Sequence, residues 1–493
     1  MEGDRHELGE GEVLQSVDVV VIGAGASGLA GIRQIVDTTE LSIRCFECKS
    51  SFGGVWNYVP DPGACTVKFD KQGRPYVRED DNSSRLTPMY ESLRTNVPRE
   101  IMGYKNFPFD GKGQEGEGST SFPAGSEVLD YLSTCSKGYE KYVEFGTRVD
   151  RVRHLKNQGE KVNDRKRCRR WVVEFSKCSD SEFSTCRTGR VTCDFVLAAN
   201  GHYSVPYIPS VKNLSTWKGE ICHSLYYRNP KDPIFHGKNV AVIGIGPSGY
   251  DIVKDLAISK EFAKDDDQRQ VKKLYSVASH PSKLGWDFRD PKAPSWTKLI
   301  EVIPRFDRIE DNKVYLTDGG VIDDIDVLYF STGYLYSLPF CNREDKPWRD
   351  HPIIKNLTFD RSGSDNSNFE GGYRVHNLDK DQIFYYPDPS FGLLVLNSQV
   401  VPFPLADYQA RAVAARWSGR KPFPIFQMEN EDEESSSVHV IVPPKEFDVE
   451  NGLLDKIGEG GKNDDDDCWG YVPRWKYKLR KTIAERRKKE LGY

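Results

Sequence analysis

Hydrophobic residues gather along this chain in short runs. Asp18-Val-Val-Val-Ile22 is a brief β-branched run of the kind a buried parallel strand carries. Glycines follow at once, then residues 30–36 with helical character, then a second strand-like run over residues 41–46. The order strand, glycine turn, helix, strand predicts a β-α-β unit. It begins again at Lys238-Asn-Val-Ala-Val-Ile243, about 220 residues after the first. There the helix is expected over residues 250–256 and the next strand over 273–279. Two such openings predict a duplicated α/β architecture, not a short-period repeat. Between them Trp171-Val-Val-Glu-Phe175 reads as a strand among charged loops. Residues 57–88 read as an irregular excursion, 110–120 as a glycine-rich loop and 1–16 as a polar leader. Acidic runs at 429–437 and 464–467 read as solvated loops. The basic run 474–490 reads as a surface helix packed on the body.

Composition narrows the class. At roughly 100–200 residues per domain, 493 residues suit two to four domains. Apolar residues make up 38% and charged residues 29%, enough for a core and too many apolar positions for wholesale disorder. A net charge of −5 lacks the basic footprint of a nucleic-acid protein. No apolar run reaches the ~18 residues of a membrane span; the longest, 17–32, contains Asp18 and four glycines. The termini carry no secretory or sorting pattern. The expectation is a cytoplasmic protein with no membrane or nucleic-acid partner. Eleven scattered cysteines, an odd number, suit reduced thiols rather than a disulfide framework. Cys45-Phe-Glu-Cys48 has redox or zinc spacing, but it has no second pair and continues a strand. No metal site and no nucleophilic triad is legible.

The glycine turns carry the chemistry. In Gly23-Ala24-Gly25-Ala26-Ser27-Gly28, Gly23 permits the tight turn, Gly25 lets backbone approach a pyrophosphate, and Gly28 lets helix and strand pack closely. The helix N-terminus offers free N–H groups and its positive dipole end to phosphate. Glu47 lies 19 residues after Gly28, where an acid accepts ribose hydroxyls. Alone, such a glycine pattern is weak; strand, turn, helix and acid together predict dinucleotide binding. The second turn is Gly244-Ile-Gly246-Pro-Ser248-Gly249, with Tyr250 and Asp251 opening the helix. Its following strand ends without an acid, and His280 and Lys283 come next. A carboxylate there would repel a 2′-phosphate and cations would accept one, which favours NADPH over NADH. Two dinucleotide sites in one chain imply a flavin, FAD, reduced by a nicotinamide.

At this point the chain resembles the flavin-containing monooxygenase family. Phe52-Gly-Gly54-Val55-Trp56 is similar to the family's G-G-x-W beside the flavin nucleotide. Trp217-Lys-Gly219-Glu-Ile-Cys-His223-Ser-Leu-Tyr-Tyr227 resembles its F-x-G-x-x-x-H-x-x-x-[YF] signature, with Trp in place of the leading Phe. Phe330-Ser-Thr-Gly-Tyr334 and Asn200-Gly-His-Tyr-Ser-Val-Pro206 resemble the two interdomain links. Glu91-Ser-Leu-Arg-Thr95-Asn96 matches the segment carrying the active-site asparagine, and the run from Pro402 to Gln409 the segment closing the flavin pocket. The likeness spans about residues 17–420, with a texture nearer yeast, fungal and plant members.

The resemblance implies two Rossmann-like domains, with a flavin domain of 1–208 and 331–493 interrupted by an NADPH domain of 209–330. It also implies a cycle in which NADPH reduces FAD, O2 adds to give a C4a-hydroperoxyflavin, and a nucleophilic nitrogen or sulfur of a small molecule takes the distal oxygen, with an alkaloid-like secondary metabolite among the candidates. Such chemistry asks for a dry, shaped pocket more than for acids and bases. Asn96 is the expected catalytic amide, with Thr95 and Val97 beside the cofactors and His223 a conformational hinge. Baeyer–Villiger oxygenation is disfavoured because Tyr227-Arg228 replaces the Trp and Pro or Asp of that signature. An uncoupled NADPH oxidase, a flavin disulfide reductase and a non-catalytic flavin protein are weaker expectations. A homodimer is the expected assembly, and residues 57–90 are expected to shape substrate access or a subunit contact.

Overall fold

The structure is a computed structural model and describes residues 15–77, 86–109, 120–155, 170–177, 187–263, 269–355, 371–428, 436–461 and 470–492. The expectations for the leader up to residue 14, for 110–119, and for acidic residues 429–435 and 464–467 lie outside the described residues.

Two parallel-strand sheets organise the chain, each opened by one glycine turn. The first sheet runs Val143–Glu144, Ile43–Phe46, Gln15–Ile22, Arg187–Ala198, Trp171–Lys177, Thr147–His154, and Phe391–Leu393 joins it by pairing with Val196 to Ala198. The strands at its nucleotide end are parallel, with Val19 opposite Ile43 and Val21 opposite Cys45. Alternation puts Val19 and Val21 in the core beneath helix α1 (Ala26–Thr38), and Val20 and Ile22 in a second core against Trp171 and Trp348. Both faces are covered, which is why the run reads as continuously apolar instead of alternating. The strands Thr147–His154 and Trp171–Lys177 pair antiparallel and extend the sheet on its far side.

The second sheet, Glu220–His223, Val327–Phe330, Asn239–Ile243, Lys273–Val277, Ile300–Ile303, is parallel throughout. Its core gathers Val240, Ala241 and Val242 with Ile252, Val253 and Leu256 from its crossover helix. The fold is therefore α/β with two Rossmann-like dinucleotide-binding units. The chain leaves the first sheet, builds the second and returns, as Phe391–Leu393 in the first sheet records.

Among the described residues the α-helices are α1, α2 (Arg99–Met102), α3 (Gly125–Cys135), α4 (Pro247–Glu261), α5 (Pro402–Trp417), α6 (Glu446–Lys456), α7 (Arg474–Lys481) and α8 (Ile483–Leu491). Helix α5 is buried along nearly its whole length against α1, and Gln34 of α1 donates to Asp407 of α5 at 2.9 Å. Part of the stretch expected to be irregular folds instead. Val67–Phe69 and Pro75–Val77 form a hairpin, because Asp70 accepts the N–H groups of Gln72 and Arg74 and Gly73 takes a positive φ of 75°. Strands of three residues are too short for their periodicity to stand out among polar neighbours.

Candidate functional site

The first turn is shaped by backbone contact. Gly23 has φ +95° and donates to the Phe46 carbonyl at 2.8 Å. A Cβ on Gly23 would stand 2.7 Å from the Ala199 carbonyl oxygen, and one on Gly28 only 1.9 Å from the Gly23 oxygen. These two glycines serve packing. Gly25 serves the opening: a Cβ there would face Gly54 Cα at 3.3 Å, and a Cβ on Gly54 would face Gly25 Cα at 2.8 Å. Turn and 53–56 segment thus approach backbone to backbone, a cradle that any side chain would fill. Glu47 is buried at the end of the second strand and accepts the Ala24 N–H at 2.6 Å and the Lys49 N–H at 2.8 Å. A carboxylate has about four lone-pair sites, so capacity for ribose hydroxyls remains. Ala26, Ser27, Val55 and Trp56 are half-buried around this cradle, with Trp56 edge-on to Phe403 at 6.1 Å. These residues fit the nucleotide part of FAD.

The second turn repeats the design with an open mouth. Gly244 has φ +103°, and Gly249 packs so tightly that a Cβ would meet the Gly244 oxygen at 2.0 Å. Gly246, the N-cap of α4, is exposed and a Cβ there would meet nothing within 4 Å. Ser248 is half-buried in the first turn of α4. Ser279, His280 and Lys283 are exposed just beyond the strand Lys273–Val277. Open backbone at a helix N-terminus, with the basic side chains His280 and Lys283 exposed just beyond the neighbouring strand, fits NADPH.

The two returns between the sheets are tied together. Val205–Pro206 pairs antiparallel with Tyr334–Leu335. Tyr207 N–H donates to the Gly333 carbonyl at 3.0 Å, and Thr332 donates to the Tyr207 carbonyl. His223 is fully buried and reaches the same Gly333 carbonyl with Nε2 at 3.0 Å. Burial pushes its imidazole down to about 3, so it is neutral, a fixed donor at the junction rather than an acid or base. Tyr227, the last residue of the same signature, donates to Asp255 of α4 at 3.2 Å.

Residues 90–104 span from one turn to the other. At one end Tyr90 donates to Asp251 at 2.6 Å and Ser92 donates to Asp255, both on α4. At the other end Tyr104 donates to the Ala26 carbonyl at 2.6 Å, at the start of α1. Asn96 sits midway and half-buried. Thr95 is buried, its hydroxyl donating to the Val97 carbonyl at 2.8 Å and its N–H to the Pro123 carbonyl at 3.0 Å, which fixes the bend that presents Asn96. Asn96 Oδ1 accepts from Arg487 of α8 at 2.7 Å.

Several expected site residues have their side chains committed elsewhere. Asp251 faces Tyr90 and the C-terminal helix, so its carboxylate turns toward protein groups. Tyr250 accepts the Trp286 N–H at 2.8 Å and stacks on Phe288. Gln409 is fully buried and accepts the Val395 N–H at 2.8 Å. Cys45 is buried and Cys48 exposed, both free thiols. Burial and then Glu47 raise the Cys45 thiol well above its ordinary value, so it is not poised as a thiolate. Among the described residues no cluster of His, Cys, Asp or Glu could hold a metal ion, and no helix is long and apolar enough to cross a membrane. Sequence reading missed Tyr90, Ser92, Asp255 and above all Arg487. Arg487 lies in a run of four cations, and the one signal is that it stands four residues after Ile483, on the buried face of its helix.

The model of the family described as FMO-like, flavin-binding monooxygenase-like, matches residues 16–264. The flavin-containing monooxygenase FMO GS-OX-like 2 of Arabidopsis thaliana is 30% identical over 89% of this chain and 84% of its own length. The thiol-specific monooxygenase of Saccharomyces cerevisiae is 29% identical over 80% of this chain and 75% of its own. The solved S-allyl-L-cysteine S-oxygenase of Allium sativum is 25% identical, with a TM-score of 0.69 and coverage of 97% of this chain and 94% of that one.

Proposed function

The chain belongs to the flavin-binding monooxygenase-like family and is an NADPH-dependent FAD monooxygenase, and from that premise we propose that it oxygenates a nucleophilic sulfur or nitrogen of a small molecule, sulfur first. The preference for sulfur draws on the relatives: one is named for thiols and one for S-allyl-L-cysteine. The observation that carries the reading is the path of residues 90–104 from Asp251 on α4 to Ala26 on α1, with Asn96 at its middle. That path gives one amide access to the ends of both nucleotide units.

Within this reading residues 1–208 and 331–493 hold FAD, and 209–330 hold NADPH. Bound FAD, once reduced by NADPH, supplies the oxygen activation. Gly25 and Gly54 admit the flavin pyrophosphate, and Glu47 takes the ribose. Gly246 and the first turn of α4, with Ser248, take the NADPH pyrophosphate through backbone N–H groups, while His280 and Lys283 meet the 2′-phosphate. Val55, Trp56 and Val97 wall the flavin off from water, and Gln409 supports that wall by holding Val395. Asn96 offers preorganised amide hydrogen bonds to nicotinamide or to the reacting oxygen. His223 fixes the Gly333 return to the second sheet, while Val205–Pro206 and Tyr334–Leu335 hold the two returns in register.

The test is two-step rapid mixing. The enzyme is reduced anaerobically with NADPH, then mixed with O2, and flavin absorbance is followed with and without thiols, thioethers and tertiary amines. The reading expects a transient distinct from reduced and oxidised flavin, long-lived with NADP+ bound and quickened by a sulfur nucleophile. Direct return to oxidised flavin with stoichiometric peroxide under every condition would sink it in favour of an oxidase.

A further inference from the structure

We infer that the C-terminal helix α8 is a working part of this active site, with Arg487 a positioning residue that orients the Asn96 amide. Arg487 has no exposed surface, although it stands in the basic run Arg486-Arg487-Lys488-Lys489. One guanidinium nitrogen donates to Asn96 Oδ1 at 2.7 Å, another lies 3.8 Å from Asp251 Oδ1, and the guanidinium is 5.9 Å from the centre of the Phe122 ring. A single side chain therefore touches the expected oxygen-transfer amide and the helix that opens the second nucleotide turn.

The chemistry of the pair decides its function. Arginine has donors only. Its hold on Asn96 is therefore through the amide oxygen, which leaves the amide N–H groups as the edge presented to an acceptor. Without that hold either edge could face the cofactors, because the two ends of an amide are nearly the same shape. Asp251 keeps the buried guanidinium from being an isolated charge, which the interior would not tolerate.

Helix α8 is anchored both to Glu100 and Ser121 and to the loop beside α4, so the placement of Arg487 is not incidental. Glu490 accepts from the Ser121 N–H at 2.8 Å, the Ser121 hydroxyl at 2.9 Å and the Thr120 hydroxyl at 3.1 Å. Arg486 pairs with Glu100 at 2.6 Å. On the other side the Lys488 ammonium lies 4.8 Å from the centre of the Trp286 ring, in the loop that Tyr250 holds. Ile483 is buried one turn before Arg487. The helix thus bridges the segment that carries Asn96 and the loop beside α4.

The inference rests on the proposed function of Asn96, and a double-mutant cycle separates the two. Asn96→Ala, Arg487→Ala and the double variant are compared, with exposed Lys489→Ala as a helix control. The readouts are the dissociation constant of NADP+ for the resting protein and the share of NADPH electrons released as peroxide. Arg487→Ala is expected to weaken NADP+ about tenfold and to raise the peroxide share, and to add nothing in the Asn96→Ala background, because coupled neighbours are non-additive. Arg487→Lys, which keeps a cation and a donor, restores part of both readouts, and millimolar ethylguanidine restores part of them in Arg487→Ala. Should Arg487→Ala fail to fold, Arg487→Lys and Arg487→Gln carry the same cycle. Additive effects, or an unchanged peroxide share, overturn the inference while leaving Asn96 in place. A silent Asn96→Ala removes both readings.

Discussion

His223 and Gly333 meet through one hydrogen bond, Nε2 to carbonyl at 3.0 Å, and that bond ties the end of the second-sheet strand Glu220–His223 to the return that follows Val327–Phe330. The proton's position follows from the other side of the ring. Nδ1 faces the Leu225 N–H at 3.1 Å, a donor, so Nδ1 accepts and Nε2 carries the hydrogen. A protonated ring would have to face Leu225 donor to donor. His439 is built the same way: Val375 N–H donates to its Nε2 at 3.0 Å, and Nδ1 donates to Gln382 at 2.7 Å.

Both rings are pushed down to about 3 from an ordinary value of 6.5, by burial first and, for His439, by Arg374 next. A histidine depressed in the folded state costs stability where only the unfolded chain takes up the proton. Their contribution is therefore whole above about pH 6.5 and is lost as pH falls from there toward 3. The expected slope is about 1.4 kcal/mol per pH unit for each ring. Urea midpoints at pH 7, 6 and 5 check this, and His223→Gln should remove one proton's worth of slope. An identical slope in that variant would refute the assignment.

Three glycine-to-alanine changes should fail in three ways. Gly28→Ala puts a Cβ 1.9 Å from a backbone oxygen and is expected to abolish folded protein. Gly25→Ala intrudes on the Gly54 approach and is expected to fold but to lose most of its flavin. Gly246→Ala meets nothing in the protein, so it should keep normal flavin while the KM for NADPH rises about tenfold, near 1.4 kcal/mol. Flavin absorbance per protein and steady-state KM separate the three. Unaltered KM in Gly246→Ala would remove the second turn from cofactor binding.

The charge beyond the strand Lys273–Val277 should set the choice between nicotinamides. Lys283→Glu combined with His280→Glu is expected to raise KM for NADPH at least tenfold, the order of a lost charged hydrogen bond of about 1.5–3 kcal/mol. KM for NADH should stay within about twofold. A parallel rise in both would mean that the loop shapes the site without reading the 2′-phosphate.

Docking of α8 should be indifferent to pH in the working range. Burial works against the charge of Glu490, but Arg486 and the N–H and hydroxyl of Ser121 outweigh it and hold the carboxyl at about 2, below its ordinary 4.5. A carboxylate lowered in this way stabilises fully above about pH 4.5, and that stabilisation is lost as pH falls through 2. Tryptic cleavage within residues 474–490 should therefore be equally slow at pH 6, 7 and 8 after correction for protease activity. Glu490→Gln should cleave several-fold faster at all three. Equal rates for variant and parent would show that Ile483 and Arg487 hold the helix by themselves.

Local sequence determined a good deal of this protein. The runs at residues 19–22 and 240–243 are apolar and rich in β-branched residues because both faces of a parallel sheet are covered, and each is followed by glycines whose spacing a strand-turn-helix requires. Those constraints act over a few residues, so they are written locally: Gly23 and Gly28 must clear backbone, Gly25 and Gly246 must leave room, and Glu47 must end the second strand. Asn96 was legible only through the resemblance of its segment, since an asparagine before Val-Pro is otherwise a turn residue. What surrounds it was decided by tertiary structure alone. Tyr90 meets Asp251 across 161 positions, and Arg487 meets Asn96 across 391. Only the four-residue spacing from Ile483 sets Arg487 apart from Arg486 and Lys488, and propensity does not, because the three have nearly the same local preferences. Only the docking of α8 turns one of them inward, where a buried cation must find an amide oxygen and a carboxylate at once.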